Sequence, residues 1–129
     1  MKIGIIGGTG PAGSGLALRL DVAGYDVVIG SRDKARSTEK VKELQALWPS
    51  HKLTIQGGDN ADAVSCDLVV VATPWDSTAT IVGDYASQLA GKIVITMANA
   101  LVKVGKEFQP LVPPRGSIAA HVQAEIPLS

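Results

Sequence analysis

A glycine-rich turn near the start of the chain constrains the fold more than any other feature. Residues 8–13 read Gly-Thr-Gly-Pro-Ala-Gly, which fits the pattern G-x-G-x-x-G. The turn follows the apolar run 3–6 and precedes a stretch in which Leu16, Leu20 and Ala23 recur at helical spacing. The pattern alone is weak, because 14 of the 129 residues are glycine. Its position between a strand and a helix makes it specific for a turn that holds a pyrophosphate.

The three glycines and the helix after them each contribute to such a turn. One glycine permits the tight turn, the next lets the backbone approach the pyrophosphate, and Gly13 lets the helix pack closely on the strand. The helix N-terminus offers unpaired N–H groups and a partial positive charge to an anion. The alternative is a tight turn that binds nothing. We predict that the following residues bind the ligand: Gly8, Thr9, Gly10, Pro11, Ala12 and Gly13.

Apolar runs alternate with helical patterns along the rest of the chain. We predict strands at 3–6, 27–29, 53–56, 68–72 and 93–95. We predict helices after the glycine turn and over 33–48, 60–64, 78–89 and 117–126. Residues 99–116, with three prolines and two glycines, indicate an ordered loop with a short helix. The alternation predicts an α/β fold with a doubly wound parallel sheet, the Rossmann fold, as a single domain over residues 1–129.

The end of the second strand indicates which dinucleotide binds. NAD enzymes place a carboxylate there to bind the ribose 2′-hydroxyl, whereas this chain has Ser31 and Arg32. A hydroxyl and a guanidinium suit a 2′-phosphate, which Arg36, one helical turn later, and Thr9 can also reach. Lys34 is expected to point to solvent. The sequence therefore predicts NADP(H), with a helix cap followed by solvated charge as the alternative for residues 31–33.

Composition and single residues exclude several other classes of function. Twelve basic and twelve acidic residues leave no net charge, which argues against a nucleic-acid or membrane-surface partner. The chain has no apolar stretch long enough to span a bilayer and no secretory leader pattern, so we expect a cytoplasmic protein. The only cysteine, Cys66, is expected to be a buried inert thiol. His51 and His121 lack partners at metal-ligand spacing, so we predict no metal site.

Five segments together resemble one known family. They are residues 7–11, 15–20, 30–32, 59–61 and 74–75. In combination these segments resemble the NADPH-dependent F420 reductases, the deazaflavin:NADP oxidoreductases. The resemblance implies an oxidoreductase that transfers hydride between NADP(H) and coenzyme F420, with a homodimer as its assembly. Hydride passes directly between two ring carbons, so the protein needs no acid or base and no catalytic residue is predicted.

The resemblance also assigns residues to parts of the site. Thr9, Ser31, Arg32 and Arg36 match the 2′-phosphate site of the family. The loop beside the nicotinamide is matched by residues after the fourth strand and after the fifth strand: Ala72, Thr73, Pro74 and Trp75, and then Met97, Ala98 and Asn99. Trp75 has an alternative role as a partly buried cap on the following helix.

Three other classes of protein share some or all of these motifs. A short-chain dehydrogenase needs a Tyr-x-x-x-Lys pair, but Tyr25 and Tyr85 are followed at that spacing by Ile29 and Leu89. A related ferric or flavin-linked reductase domain would share every motif. A redox-sensing or interaction domain that binds NADP(H) without catalysis would share them too.

Members of the family that the chain resembles continue with a sixth strand and a helical C-terminal part, so we expect this chain to be either a fragment or a short natural form.

Overall fold

The computed structural model describes all residues 1–129 and contains a five-stranded parallel sheet flanked by helices. The five strands of this sheet are β1 Lys2–Ile6, β2 Asp26–Ser31, β3 Gln56–Asp59, β4 Leu68–Val71 and β5 Ile93–Thr96. The helices are α1 Pro11–Val22, α2 Lys34–Leu47, α3 Asn60–Val64, α4 Trp75–Gly83, α5 Ala86–Leu89 and α6 Ile118–Glu125. Two further strands, β6 Leu101–Val104 and β7 Glu107–Pro110, form a separate antiparallel hairpin.

The strand order is β3-β2-β1-β4-β5, and every pairing in the sheet is parallel. The direction of winding therefore reverses at β1, whose Ile5 pairs with Ile29 on one side and Val70 on the other. In open α/β sheets such a reversal creates a crevice at the carboxyl ends of the strands, where ligands bind. The predicted doubly wound parallel sheet is confirmed.

Two apolar cores cover the two faces of the sheet. On one face Ile5 and Ile29 pack with Ala17 of α1 and with Val41 and Leu44 of α2. On the other face the core is formed by α3, α4, α5 and α6 against β1 and β4; its members include Ile6, Val71, Val82, Leu89 and Val122. Successive strand residues point to opposite faces, and the apolar runs of β1 and β4 supply both cores because these strands are buried on both sides. Strand β2 contributes to the first core only. The helices α1 and α2 thus lie opposite α3 and α4.

The third strand lies three residues later than predicted. Leu53 and Ile55 are buried, as an apolar pattern requires, but pairing with β2 begins at Gln56. Strand β3 then runs through Gly57 and Gly58, a pair that strand propensity disfavours. Packing explains the shift: a Cβ on Gly57 would lie 2.7 Å from the backbone nitrogen of Thr38, so only glycine lets α2 approach the edge strand this closely.

The predicted helix over 78–89 is wrong as a single element. Helix α4 begins at Trp75, directly after Pro74, and ends at Gly83. A second short helix, α5, then starts at Ala86. The N–H of Tyr85 donates to the carbonyl of Val82, a tightened turn that ends the first helix. The apolar periodicity runs through this break because both helices cover the same core, while Gly83 and Asp84 favour the interruption.

Residues 99–116 form a hairpin where a loop with a short helix was predicted. Strands β6 and β7 pair in antiparallel register, with Val104 opposite Glu107. The two-residue turn between them has Gly105 at φ 62°, and glycine is the residue that tolerates this conformation at the first position of a type II′ turn. Gly105 is typical of a two-residue hairpin turn, whereas the three prolines of the region favoured the prediction of a loop.

Side-chain caps begin two of the helices. Asp33 caps α2 by accepting the N–H of Ala35, so the helix cap that was the alternative for residues 31–33 is present. Ser117 caps α6 by accepting the N–H of Ala120, at the start of the helix predicted over 117–126. Helix α3 spans 60–64 as predicted. Cys66 is buried, and burial raises the pKa of its thiol. None of the six helices combines the length and apolar character that a bilayer crossing requires.

Candidate cofactor-binding site

A cleft of about 540 Å³, which we call the main cleft, opens at the carboxyl ends of β1, β2 and β4. Four chain segments line it: the glycine turn, the β2–α2 junction, the start of α3, and the β4–α4 junction with α4. The lining residues are Gly7, Thr9, Gly10, Ser31, Arg32, Arg36, Asn60, Ala72, Thr73, Pro74, Asp76, Ser77, Thr80 and Ile81. The structure thus gathers eight of the predicted residues, from segments as far apart as Thr9 and Pro74, into one concave surface.

Packing and backbone conformation require glycine at some positions of the glycine turn but not at position 10. Gly7 adopts φ 71°, which favours glycine, so the tight turn depends on this residue and not on Gly8. A Cβ on Gly13 would lie 2.8 Å from the Cα of Gly8, so its role in close helix–strand packing is borne out by the geometry. A Cβ on Gly10 would meet nothing nearer than the carbonyl of Gly7 at 3.6 Å. Nothing within the chain therefore requires glycine at position 10, where the backbone faces the main cleft.

Helix α1 directs free donors at the same place. Its first residue is Pro11, which has no N–H to leave unpaired. The N–H groups of Ala12 and Gly13 donate to no backbone carbonyl, whereas Ser14 donates to the carbonyl of Gly10. Two unpaired N–H groups at a helix N-terminus form an anion-binding arrangement. Pro11 and Ala12 are exposed at the rim, while Gly8 lies buried behind the turn.

The carboxyl end of β2 brings a hydroxyl and two guanidinium groups to the main cleft. Ser31 is the last residue of β2, and its Oγ accepts the N–H of Asp33 at 3.4 Å. Arg32 and Arg36 belong to neither of the two ion pairs in the structure. Asp76 is the only carboxylate among the lining residues, and it lies on α4. The β2 end of the main cleft is therefore cationic, with its charges free to bind an anion.

Lys34 lies between these two arginines in sequence but points elsewhere. Its ammonium donates to Asp62 Oδ2 at 3.0 Å. The hydrogen bond and the opposite charge raise the pKa of Lys34 and lower the pKa of Asp62. Asp62 also accepts the N–H of Asp59, completing a capping box on α3. Lys34 thus supports α3, and the expectation that it stays out of the ligand site agrees with this geometry.

The carboxyl end of β4 forms the opposite wall of the main cleft. The N–H of Ala72 donates to the carbonyl of Ile6 at 2.9 Å, which continues the sheet one residue past β4. Thr73 and Thr78 share a hydrogen bond between their hydroxyls at 2.9 Å. Pro74 then precedes the first turn of α4. These bonds hold the β4–α4 junction against the glycine turn.

Trp75 faces away from the main cleft. It lines a second cavity of about 330 Å³, which we call the apolar cleft, together with Ala79 of α4, Ala100 before the hairpin, and Ile118 and His121 of α6. Its indole Nε1–H donates to the carbonyl of Leu101 at 3.0 Å, so the ring links α4 to the hairpin. Asp76 lines both cavities. Trp75 is the first residue of α4 and is 36% exposed, and α4 has no side-chain cap hydrogen bond. A role for Trp75 beside the nicotinamide stays a prediction.

The segment after β5 also lies outside the main cleft. Ala98 and Asn99 line a separate groove beside the hairpin, and Met97 is exposed. The N–H of Met97 donates to the carbonyl of Val71, so this segment extends the sheet next to β4. A role for these three residues beside the nicotinamide stays a prediction.

Sequence reasoning missed several lining residues. Gly7, Asn60 and four residues of α4 were not predicted; the four are Asp76, Ser77, Thr80 and Ile81. The helical spacing of Asp76 and Thr80 places them on one face, but the predicted helix began only at Thr78. Asn60 could have been found because it directly follows a strand, where parallel sheets place ligand contacts.

The two histidines lie outside the main cleft. His51 is exposed, with its ring at a 75° angle to that of Trp48 and the ring centroids 5.9 Å apart. The Nε2 of His121 accepts the N–H of Arg115 at 3.4 Å. Both take part in local packing, as predicted.

Comparison with known proteins adds three findings. The chain is 36% identical to the F420-dependent NADP reductase of Methanocaldococcus jannaschii over 95% of this chain and 57% of the relative. It is 36% identical to the enzyme of the same name from Methanothermobacter thermautotrophicus over 74% of this chain and 41% of that relative. A solved structure from Arthrobacter sp. FB24, provisionally assigned as an F420-dependent NADP reductase, superposes with TM-score 0.79 and 30% identity, over 100% of this chain and 59% of that one.

The chain thus spans between two fifths and three fifths of the length of these relatives. A family model described as NADP oxidoreductase, coenzyme F420-dependent, matches residues 2–100. That range contains all the strands of the parallel sheet and every residue of the main cleft. The chain belongs to the family of coenzyme F420-dependent NADP oxidoreductases.

Proposed function

We propose that the chain binds NADP(H) in the main cleft and is the dinucleotide-binding domain of an oxidoreductase that transfers hydride between NADP(H) and coenzyme F420. One observation supports the coenzyme assignment above the others. Ser31, Arg32 and Arg36 lie in the same cleft as the glycine turn, and neither arginine is neutralised by a carboxylate. This distribution of charge favours an adenosine that carries a 2′-phosphate over one with a free 2′-hydroxyl.

The residues of the main cleft fit the two anionic groups of such a coenzyme. The free N–H groups of Ala12 and Gly13 suit a pyrophosphate, and the missing side chain at Gly10 leaves room for it. Arg32 and Arg36 suit the 2′-phosphate, with Thr9 and Ser31 as hydroxyl donors. The residues that line the cleft at its other end are Ala72, Thr73 and Pro74, followed by α4.

The work of the protein in this reaction is positioning. When bound, the nicotinamide would supply the hydride as NADPH or accept it as NADP⁺. The glycine turn and the β2 end hold the two phosphate groups at separate points, which fixes the orientation of the whole dinucleotide. The bonds of Ala72 and Thr73 fix the wall opposite the glycine turn. No side chain has to accept or donate a proton for hydride to pass between two carbons.

The apolar cleft is the proposed location of the second ring system. It adjoins the main cleft at Asp76, and its lining includes Leu111, Val112 and two prolines. An apolar cavity beside a polar phosphate site suits a flat conjugated ring next to the nicotinamide. We further propose that Trp75, together with Met97, Ala98 and Asn99, contacts these rings. We also propose that the protein is cytoplasmic and forms a homodimer. Light scattering of the purified chain measures the oligomeric state directly.

The coenzyme assignment is tested by titrating the purified chain with NADPH and with NADH while following nicotinamide fluorescence. NADPH is expected to bind at least about tenfold more tightly, since a hydrogen bond to a charged group contributes about 1.5–3 kcal/mol. Equal or tighter binding of NADH would contradict the proposal.

The reaction is tested separately by mixing the chain and NADPH with oxidised F420 and following the loss of deazaflavin absorbance. Turnover is the expected result. Tight NADPH binding without turnover would instead support a domain that binds NADP(H) and has no catalysis of its own. The same assay with a flavin or a ferric chelate in place of F420 distinguishes the related reductases.

A further inference from the structure

Asn60 carries the only buried side-chain oxygen or nitrogen in the structure that has no hydrogen-bond partner. The atom is Oδ1, and the residue as a whole is 7% exposed. Asn60 is the first residue of α3, where Asp59 already provides the helix cap. Buried polar atoms in folded proteins nearly always have a partner, because an unpaired one destabilises the native state. The Oδ1 atom of Asn60 is therefore available for a hydrogen bond with a ligand.

The amide lies at the floor of the main cleft, on the α3 side of the sheet. Asn60 lines the cleft, and a Cβ on Gly30 would lie 3.1 Å from its Oδ1. The same Cβ would also lie 2.9 Å from the Cβ of Ala63, so this side of Gly30 faces α3. Successive residues of a strand point to opposite faces, and Ser31 accordingly contacts the N-cap of α2. Asn60 and Ser31 thus lie on opposite faces of the sheet, at the carboxyl end of β2.

The covalent structure of adenosine 2′-phosphate matches this division. The phosphate and the base are carried by adjacent carbons of the ribose, so a phosphate held by Ser31, Arg32 and Arg36 keeps the base next to the end of β2. In the proposed binding mode the pyrophosphate binds at the glycine turn. The lining residues that remain include Asn60 and, from α4, Thr80 and Ile81. This region offers one amide between a helix face and a strand end.

We propose that the Asn60 amide hydrogen-bonds the edge of the adenine ring, an inference that rests on the proposed NADP(H) function. An amide presents one acceptor and a pair of donors, and rotation of the group exchanges their places. Adenine presents the complementary pair, an amino donor next to a ring-nitrogen acceptor, and Asn is a residue type that pairs with it in two places at once. Asn60 thereby favours a base with an amino group next to a ring-nitrogen acceptor, such as adenine, over a base that carries a carbonyl at that place.

The test uses two ligands that differ only in the base. Adenosine 2′,5′-bisphosphate contains the base, whereas ribose 2,5-bisphosphate keeps both phosphates and lacks it. The Asn60→Leu variant is expected to bind the adenosine compound about tenfold more weakly than the wild type and the ribose compound equally well. The Asn60→Asp variant, which keeps the shape and loses the donors, is expected to show the same selective loss. Gln45→Leu, which removes an exposed amide from α2, serves as the matched control and is expected to change neither affinity.

Two outcomes would overturn the inference. An equal loss for both ligands would place the amide on the sugar or the phosphates, and no loss for either would show that it does not face the ligand. If the wild type binds neither bisphosphate, the proposed NADP(H) function fails as well. If the wild type binds both and the variants bind equally well, the inference about Asn60 fails alone.

Discussion

The backbone N–H of Gly8 donates to the carbonyl of Gly30 at 3.0 Å. This bond joins the glycine turn to the residue directly before Ser31 and Arg32. The pyrophosphate donors and the cationic group of the proposed coenzyme site therefore belong to one rigid body. Their separation is fixed before any ligand arrives, which lowers the ordering cost of binding a coenzyme that spans them.

Replacing Arg32 should reverse the preference between the two coenzymes. In Arg32→Asp, a carboxylate repels a 2′-phosphate and can accept hydrogen bonds from a 2′-hydroxyl. We expect NADPH binding to weaken by about 10- to 100-fold and NADH binding to become the tighter of the two, as measured by titration. Lys42→Asp makes the same charge change at an exposed position of α2 outside the main cleft and is the control. Unchanged dissociation constants for both coenzymes would refute the assignment of Arg32.

Gly10 and Gly13 should respond differently to alanine. A methyl group at position 10 meets only ordinary contacts in the ligand-free chain, so Gly10→Ala should lower stability by less than about 1 kcal/mol. The same methyl group occupies the space proposed for the pyrophosphate, so NADPH affinity should fall about tenfold or more. Thermal melting and a NADPH titration check both expectations. A variant that melts normally and binds normally would show that the pyrophosphate lies elsewhere.

Gly13→Ala should damage the fold itself. Its Cβ would lie 2.8 Å from the Cα of Gly8 and 3.0 Å from the carbonyl of Gly7. Both atoms are backbone, so α1 must move away from β1, at a cost of about 1–3 kcal/mol. Denaturant unfolding measures the loss, with Gly15→Ala as the control because its Cβ would meet only the flexible end of Arg19 at 3.6 Å. Equal stability of the two variants would contradict the close packing at Gly13.

Asp62 should stabilise the chain in a pH-dependent way. Lys34 and the N–H of Asp59 favour its charged form, so its pKa in the folded chain lies below the usual carboxyl value. A depressed folded pKa contributes stability above the pKa of the unfolded chain, and this contribution is lost as the pH falls through the folded pKa. We expect Asp62→Asn to melt a few degrees lower near neutral pH, with the difference shrinking in acid. Glu39→Gln, an exposed carboxylate without an ion pair, should show no such trend.

The thiol of Cys66 should react slowly with alkylating agents while the chain is folded. Burial raises its pKa, so less reactive thiolate is present at a given pH, and access is limited as well. Alkylation followed by mass spectrometry should show a much faster rate in denaturant. An exposed thiol introduced by Ser65→Cys in a Cys66→Ser background provides the comparison within the same turn. Equal rates for the two thiols would show that Cys66 is accessible.

The sequence was sufficient to predict the doubly wound parallel sheet and the gathering of the glycine turn and the end of β2 at one cleft. Apolar runs such as that of β4 are long enough and continuous enough to identify strands buried on both faces. Ser31 and Arg32 were predicted to line the cleft because ligand sites of parallel sheets lie at the carboxyl ends of the strands; their contact with a phosphate stays a prediction. These features depend on residues close together in the chain.

Features that depend on tertiary packing could not be predicted in this way. The position of β3 is set by the approach of α2 to Gly57, a contact between segments that local propensity does not describe. The contribution of Thr80 and Ile81 to the main cleft depends on how α4 lies over the sheet. The free amide of Asn60 is visible only once its surroundings show that no partner is present.

Every residue of the main cleft falls between Gly7 and Ile81, whereas six of the ten residues that line the apolar cleft lie at or after Leu111. If the proposed function holds, the choice of coenzyme and the choice of electron acceptor depend on different stretches of the chain, which meet at Asp76. Exchange of the later stretch by recombination is then expected to change the electron acceptor and to leave the preference for the pyridine nucleotide as it is.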